Sequence, residues 1–287
     1  MHGPPLADYI NRMTPPAKSN EPGYEQPYAN FEAPLMRQLR KEAYGEDIGQ
    51  HSWVTAAELR SDIVRLALGP SSHVLDLGCG PGGPLTFMMQ ASGCSGTGID
   101  LSAAALDAAS QRATALGVAA RLSVRVADLN EPLPFADAGF DVVVSLDAIL
   151  HARDRRGAYR EVARLLVPGG AFLFTDAGVI TGAISNAEVA ARSVHGFTQL
   201  CPPGFNERLL AECGLQVTCQ EDRTASLYSN AAGRLAARAT YSAELEKLEG
   251  AEHFARQQQY LGTVVELSRR GALSRIMYLA KAATAKR

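Results

Sequence analysis

No stretch of the chain approaches the run of about eighteen apolar residues that a membrane-spanning helix needs; the apolar segments around Val142–Val144 and Ala171–Phe174 are soon interrupted. Charge of one sign is also missing. The formal net charge is −2 over 287 residues and no long block of like charges occurs, so nothing supplies the basic footprint of a nucleic-acid-binding protein. Cys79, Cys94, Cys201, Cys213 and Cys219 lack CxxC spacing and are odd in number, which argues for reduced thiols rather than a disulfide framework. No pair of cysteines or histidines sits at ligand spacing, so no metal is expected. The N-terminal MHGPPLADYINRM has no basic segment leading into an apolar core, so no signal peptide is expected and the protein reads as cytoplasmic.

What is present is an ordinary globular composition, 46% hydrophobic and 20% charged, on a length that suits one α/β core with insertions. Residues 1–70 read as a tail and two helices, Phe31–Tyr44 and Thr55–Leu68, that contribute to an active-site cover. Thr55 and Glu58 have the spacing of an N-terminal capping box. Residues 71–225 alternate short apolar runs with helical segments: HVLDL, Pro84–Ala91, CSGTGID, Ser102–Leu116, RLSVRV, FDVVVSL, Arg155–Leu166, AFLFTD, Asn206–Cys213 and LQVTCQ. Alternation of this kind predicts a doubly wound, mostly parallel α/β sheet with helices on both faces. The turn Val167–Gly170 should separate helix from strand, and an insertion is expected at about 178–204. Residues 226–287 read as a helical insertion over Leu227–Arg270, with Tyr241, Leu245, Leu248 and Phe254 at near-helical intervals, followed by LSRIMYLAKA. Periodicity leaves that last segment strand or helix; as a strand it completes a seven-stranded sheet under a helical lid.

The run Val74–Gly83 joins a strand to a helix through glycines, which admit positive φ and close backbone approach. Gly78, Gly80 and Gly83 also satisfy GxGxxG, the spacing of a dinucleotide fingerprint. Three acids bear on the choice. Asp76 sits near the end of the first strand, where its carboxylate can accept from an ammonium or hold loop amides; S-adenosylmethionine carries an ammonium and NAD has none. Asp100 ends the second strand and suits the ribose hydroxyls of any adenosine cofactor. Asp128 follows the third strand, within reach of an adenine amino group that Leu129 can cover.

These motifs resemble the class I S-adenosylmethionine-dependent methyltransferases. The resemblance spans about residues 40–220 and rests on VLDLGCGPGG, GIDLS, ADLNEPLPFADAGFDVVVSLDAILH and ARLLVPGGAFLFTD in family order. YGEDIGQHSW, LDAILHARDR and FTDAG look most like the branch of sarcosine and dimethylglycine N-methyltransferases. One position departs: Gly49 stands where that branch has histidine after the Asp-Ile pair, and His51 follows two residues later. The resemblance implies a Rossmann-like methyltransferase fold and S-adenosylmethionine as cofactor, with S-adenosylhomocysteine as product. It implies cofactor contacts at Asp76, Gly78, Gly80, Gly82 and Asp100, at Leu101, Asp128, Leu129 and Ser145, and from Gln50 and Trp53 over the methionyl end.

Methyl transfer from a sulfonium mainly needs a nucleophile aligned in a dry site, with a base to remove its proton. His151, just past the fourth strand, is the candidate general base; packing beside the cofactor is its structural alternative. Tyr24, Tyr28, His51, Asp176 and His195 are candidate substrate contacts, with Tyr44 a further aromatic that would suit a cationic product. Asp176 and Asp147 together could hold a metal, a weak pattern without a following Asp-Asn pair. The expected reaction is methylation of a small-molecule acceptor, an amine nitrogen first; O- or C-methylation of a small natural product and a non-catalytic cofactor-binding protein are the alternatives. Oligomeric state, a homodimer included, stays open.

Overall fold

The computed structural model describes residues 28, 30–193 and 196–284. Two helices lead, α1 (Pro34–Tyr44) and α2 (Ala56–Arg65). Proline at the start of α1 lacks only an amide that no helical partner would have used, and Thr55 caps α2 through the reciprocal Glu58 box. Then come β1 (His73–Leu77), α3 (Gly83–Ser92), β2 (Ser95–Asp100), α4 (Ala103–Ala115), β3 (Leu122–Val126), β4 (Phe140–Leu146), α5 (Arg155–Leu165) and β5 (Leu166–Ile180). A short α6 (Asn186–Arg192), α7 (Phe205–Glu212), β6 (Leu215–Asp222), the lid helices α8 (Thr224–Thr240), α9 (Ser242–Glu249) and α10 (Ala251–Arg269), and β7 (Leu273–Ala282) complete the chain.

The seven strands form one sheet in the order β3-β2-β1-β4-β5-β7-β6. β7 runs antiparallel to both neighbours and the other pairings are parallel. The two faces read directly from the period of two along each strand. Leu75, Leu77, Val143, Phe172, Phe174 and Tyr278 face one core, closed by Tyr159, Val162 and Leu165 of α5 and Leu209 and Leu210 of α7. Val74, Val142, Val144, Leu173, Met277 and Leu279 face the other, closed by Leu59 of α2, Leu85, Met88 and Met89 of α3 and Ala113 of α4. Burial on both faces is why these strands are continuous apolar runs.

One detail differs from the sequence reading, and two are sharpened. The turn Val167–Gly170 does not precede β5 but loops out within its start: Phe140 pairs Leu166 and Val142 pairs Ala171, so three extra residues are accommodated at Gly169, whose φ is +79°. LSRIMYLAKA is a strand paired on both sides, and its near-complete burial erased the alternation that separates strand from helix. The helical insertion is three helices, broken at Tyr241 and at Gly250, whose φ of +86° ends α9. Trp53, Leu227, Ala231, Tyr260, Leu261 and Val264 form a separate apolar cluster where α8 and α10 meet the sheet edge. Among the described residues no helix is long and apolar enough to cross a membrane.

Candidate active site

The strands' C-terminal edge, where open α/β sheets bind ligands, opens on the turn after β1. Gly78, Gly80 and Gly82 have φ of +74°, +52° and +71°. A Cβ on Gly78 would stand 2.6 Å from Ala148 Cβ, and one on Gly82 2.6 Å from Ala109 Cβ; these two glycines let the turn pack on the protein itself. At Gly80 the nearest atom is the Tyr28 hydroxyl, 3.3 Å from such a Cβ. Tyr28, packed edge-on against Phe31 and His51, therefore lies on the glycine turn, which corrects its expected place in the acceptor cavity. Tyr24 and His195 lie outside the described residues.

Asp100 closes the turn: its Oδ2 accepts from the Gly80 amide at 2.8 Å and its Oδ1 from the Ser102 amide at 3.0 Å. Asp76 is 2% exposed and its Oδ1 has no hydrogen-bond partner. Burial, reinforced by the Asp100 charge, pushes the Asp76 carboxyl up to about 7. Leu101 is left 63% exposed beside this pair. A buried acceptor without a donor and an apolar side chain in water both ask for a ligand. An adenosine cofactor with an ammonium would suit them, with Asp76 and Asp100 the residues that would hold it.

Asp128 Oδ1 accepts from the amide and the side chain of Asn130, both at 2.8 Å, and Leu129 packs against the core. Ser145 is fully buried and donates to the Leu77 carbonyl at 3.1 Å, so its hydroxyl ties β4 to β1 and does not face a cofactor. Gln50 is likewise committed: its Oε1 accepts from Ile48 N at 2.9 Å and its Nε2 donates to the Glu46 carbonyl at 3.2 Å, folding its own loop. Gly49 explains the departure at its position. A Cβ there would lie 2.1 Å from Arg112 Cζ, and Arg112 is itself held by Glu32 and the Ile48 carbonyl, so a guanidinium fills the space a histidine would need.

Beyond the turn lie two adjoining chambers. The inner one is bounded by Trp53, His151, Arg192 and Tyr260 and the outer one by Phe31, Met36, Leu39 and Leu248, and both are partly open to solvent. His51 and Arg234 border both. Trp53 belongs to the inner chamber's wall, stacked on Tyr260 with centroids 6.2 Å apart. His151, on the single turn Ile149–His151 after β4, has Nδ1 2.7 Å from the Phe197 carbonyl. A carbonyl can only accept, so Nδ1 carries the proton and Nε2 the lone pair. Burial lowers the His151 pKa, and burial with the Arg234 charge lowers that of His51 to about 3; both rings are neutral at pH 7.

Asp176 does not reach the chambers. It is fully buried, with Oδ2 accepting from Arg155 Nη1 at 2.6 Å and Asn206 Nδ2 at 2.9 Å and Oδ1 from Gly178 N at 2.8 Å. This network pins α5 and α7 to β5, which removes Asp176 from the substrate contacts. Asp147, at φ +60°, is held by protein donors. Its Oδ2 accepts from the Trp53 amide at 2.9 Å, and both oxygens accept from Arg275 Nε. Arg275 in turn reaches Glu58 on α2 and Ser226 on α8. Sequence reasoning missed Arg275, Arg192 and Arg234. The first left a signal, since an arginine inside the apolar run of β7 demands a buried carboxylate; the other two sit in amphipathic helices where an arginine is unremarked.

Residues 75–174, from β1 into β5, match the family described as Methyltransferase domain. The chain is 31% identical to the glycine/sarcosine/dimethylglycine N-methyltransferase of Actinopolyspora halophila over 80% of its own length and 40% of that protein's. It is 33% identical to the 27-O-demethylrifamycin SV methyltransferase of Amycolatopsis mediterranei over 55% of this chain and 58% of that one. The chain thus spans about half the length of the curated relatives it matches. In fold it is similar to the phosphoethanolamine N-methyltransferase 2 of Haemonchus contortus, solved with S-adenosyl-L-methionine, at a TM-score of 0.74 and 18% identity, covering 94% of this chain and 62% of that one.

Proposed function

We propose that the protein, whose residues 75–174 match the methyltransferase domain family, transfers a methyl group from S-adenosylmethionine to a small-molecule acceptor, at an amine nitrogen held in the inner chamber. The observation that carries the reading is the buried, unpartnered oxygen of Asp76 next to Asp100, which an ammonium-bearing adenosine cofactor satisfies and NAD does not. The bound cofactor supplies an electrophilic methyl on a sulfonium; the protein supplies position and dryness. Asp76 and Asp100 orient the donor, and the lid over the sheet edge excludes water. Neutral His151, with its lone pair on Nε2, accepts the proton the nucleophile must lose. Arg192 and Arg234 disfavour a further positive charge in the chamber and so favour the acceptor's free base. We further read the acceptor as a metabolite met in the cytoplasm, with no nucleic acid involved.

Transfer to oxygen is the second reading, favoured by the His151 tautomer, since a hydroxyl needs a positioned base more than an amine does. The test is incubation with methyl-labelled S-adenosylmethionine and a pooled metabolite extract, read by mass spectrometry, beside calorimetric titration with S-adenosylhomocysteine and NAD. We expect S-adenosylhomocysteine to bind and one metabolite to gain an N-linked label. Tight NAD binding with none for S-adenosylhomocysteine overturns the reading; an O-linked label selects the second.

A further inference from the structure

Tyr28 and residues 30–33 form a strap over the glycine turn. The Tyr28 hydroxyl stands on Gly80, 3.3 Å from where its Cβ would be, and Tyr28 and Phe31 pack on Ala105 in the first turn of α4, just past Asp100. The strap's own backbone bonds are local, Phe31 N to the Tyr28 carbonyl at 3.2 Å and Ala33 N to the Asn30 carbonyl at 3.0 Å. Side chains tie it to the rest of the molecule. Glu32 Oε1 accepts from Arg112 Nη2 at 2.5 Å and Oε2 from Arg37 Nε at 2.9 Å, and the Phe31 carbonyl accepts from Arg40 Nη1 at 2.6 Å. Arg112, on α4, occupies the space that Gly49 leaves open and also donates from Nη1 to the Ile48 carbonyl at 3.4 Å. The loop it holds there lies against the first residue of α3: a Cβ on Gly83 would meet the Gly49 and Ile48 carbonyl oxygens at 2.1 and 2.6 Å. One guanidinium therefore joins the strap, this loop and α4 around the turn. Its Nε is buried without a partner, so parting from Glu32 would strand a largely buried charge. Asp76, at 2% exposure, is shut off from solvent, and an ammonium reaches it only after a covering element moves. The sheet and helices beside it are held by backbone ladders; the strap is held by side chains, and such segments open first.

We infer that the strap is the gate for cofactor exchange and that the ion pair of Glu32 with Arg112 is its latch. The pair joins protein to protein and leaves Asp76 and Asp100 to the ligand. An interaction that is the same in free and loaded protein shifts no binding equilibrium; it sets how often the closed state opens. The latch therefore slows entry and exit by the same factor and leaves affinity alone. The inference rests on the S-adenosylmethionine site described above and adds the route by which that ligand comes and goes.

The test is surface plasmon resonance with S-adenosylhomocysteine over the immobilised full chain. Glu32→Gln should raise the association and dissociation rate constants together, about threefold to tenfold, with the dissociation constant kept within about twofold. Arg112→Met should do the same, and the double variant should exchange no faster than the faster single one, because both changes remove one interaction. Arg37→Gln, at the 61% exposed end of the network, should move either rate by less than about twofold. Raising salt from about 0.05 M to about 0.5 M should speed exchange in the wild type and leave Glu32→Gln within about twofold. Unchanged rates in Glu32→Gln, or additive effects in the double variant, overturn the inference. So does faster dissociation with unchanged association, which makes the pair a determinant of affinity and not of exchange. Failure of the wild type to bind S-adenosylhomocysteine removes the cofactor assignment as well; binding at rates indifferent to Glu32 removes the gate only.

Discussion

Replacing Asp76 by asparagine should make the ligand-free protein more resistant to alkaline pH while weakening its hold on the cofactor. Asp76 is 2% exposed, and its carboxyl is pushed from 3.8 to about 7 by burial and by Asp100. Because the folded value lies above the unfolded one, the unfolded chain releases its proton first. Stability from this group is therefore complete below pH 4, falls as pH rises, and levels off above pH 7. A rise of about 3 at 1.36 kcal/mol each amounts to about 4 kcal/mol. Between pH 5 and pH 8 the wild type should lose about 2–3 kcal/mol of it, roughly 4–5 °C in Tm for a chain of this length. Asp76→Asn removes that loss and leaves every other titrating group in place, so the difference between the two proteins isolates the site. Any constant penalty for the poorer fit of an amide cancels in the comparison of the two pH values. The assay is thermal and urea unfolding of ligand-free protein at pH 5 and pH 8, with calorimetric titration of S-adenosylhomocysteine, whose affinity should drop about 10- to 100-fold with the loss of one charge-assisted bond. Parallel pH dependence in wild type and variant, with unchanged cofactor affinity, refutes the reasoning.

Two further outcomes follow from the site. His151→Gln should lower kcat by about 100-fold or more with little change in S-adenosylhomocysteine affinity; since burial lowers the His151 pKa, the wild-type rate should fall on the acid side below pH 6.5, and that limb should vanish in the variant, a pH–rate profile being the check. Gly49→His, which restores the residue of the N-methyltransferase branch, should cost about 1–3 kcal/mol in urea unfolding, because Gly49 has φ +75° and Arg112 fills its side-chain space; an unchanged midpoint contradicts that account.

The sheet was legible because buried parallel strands and their crossover helices leave a pattern that few other folds share. β1 to β4 could be located to within a residue from apolar runs and glycine turns, whereas β5 was read only at its centre, 171–176, of Leu166–Ile180. β7 could not be assigned, because a strand paired on both sides and covered on both faces has no alternation to read. The acids at the ends of β1 and β2 were readable for a related reason: Asp76 interrupts an apolar run, and such an interruption has a use. The acceptor chamber was not readable. Arg192, Arg234 and Tyr260 come from three helices separated by 26 to 68 residues in sequence, and nothing local distinguishes them from solvent-facing side chains. Gln50, Ser145 and Asp176 show the opposite error: each is the right type of residue at the right edge, but its polar atoms are consumed by the backbone or by Arg155.

The lid leaves the sheet at the end of β6 and returns at the start of β7, adjacent antiparallel strands. Its two ends are stitched together where they depart, Arg223 N donating to the Arg275 carbonyl at 2.8 Å and Arg275 N to Thr224 Oγ1 at 3.1 Å. Helices α8 to α10 are therefore the loop of a hairpin, and closing a hairpin depends only weakly on how long its loop is. Part of the chamber lining, Arg234 and Tyr260 with it, is thus carried on this insert, while Asp76 and Asp100 are built into β1 and β2. On the methyl-transfer reading proposed above, a chain organised this way changes its acceptor by exchanging one contiguous segment and keeps its donor site untouched.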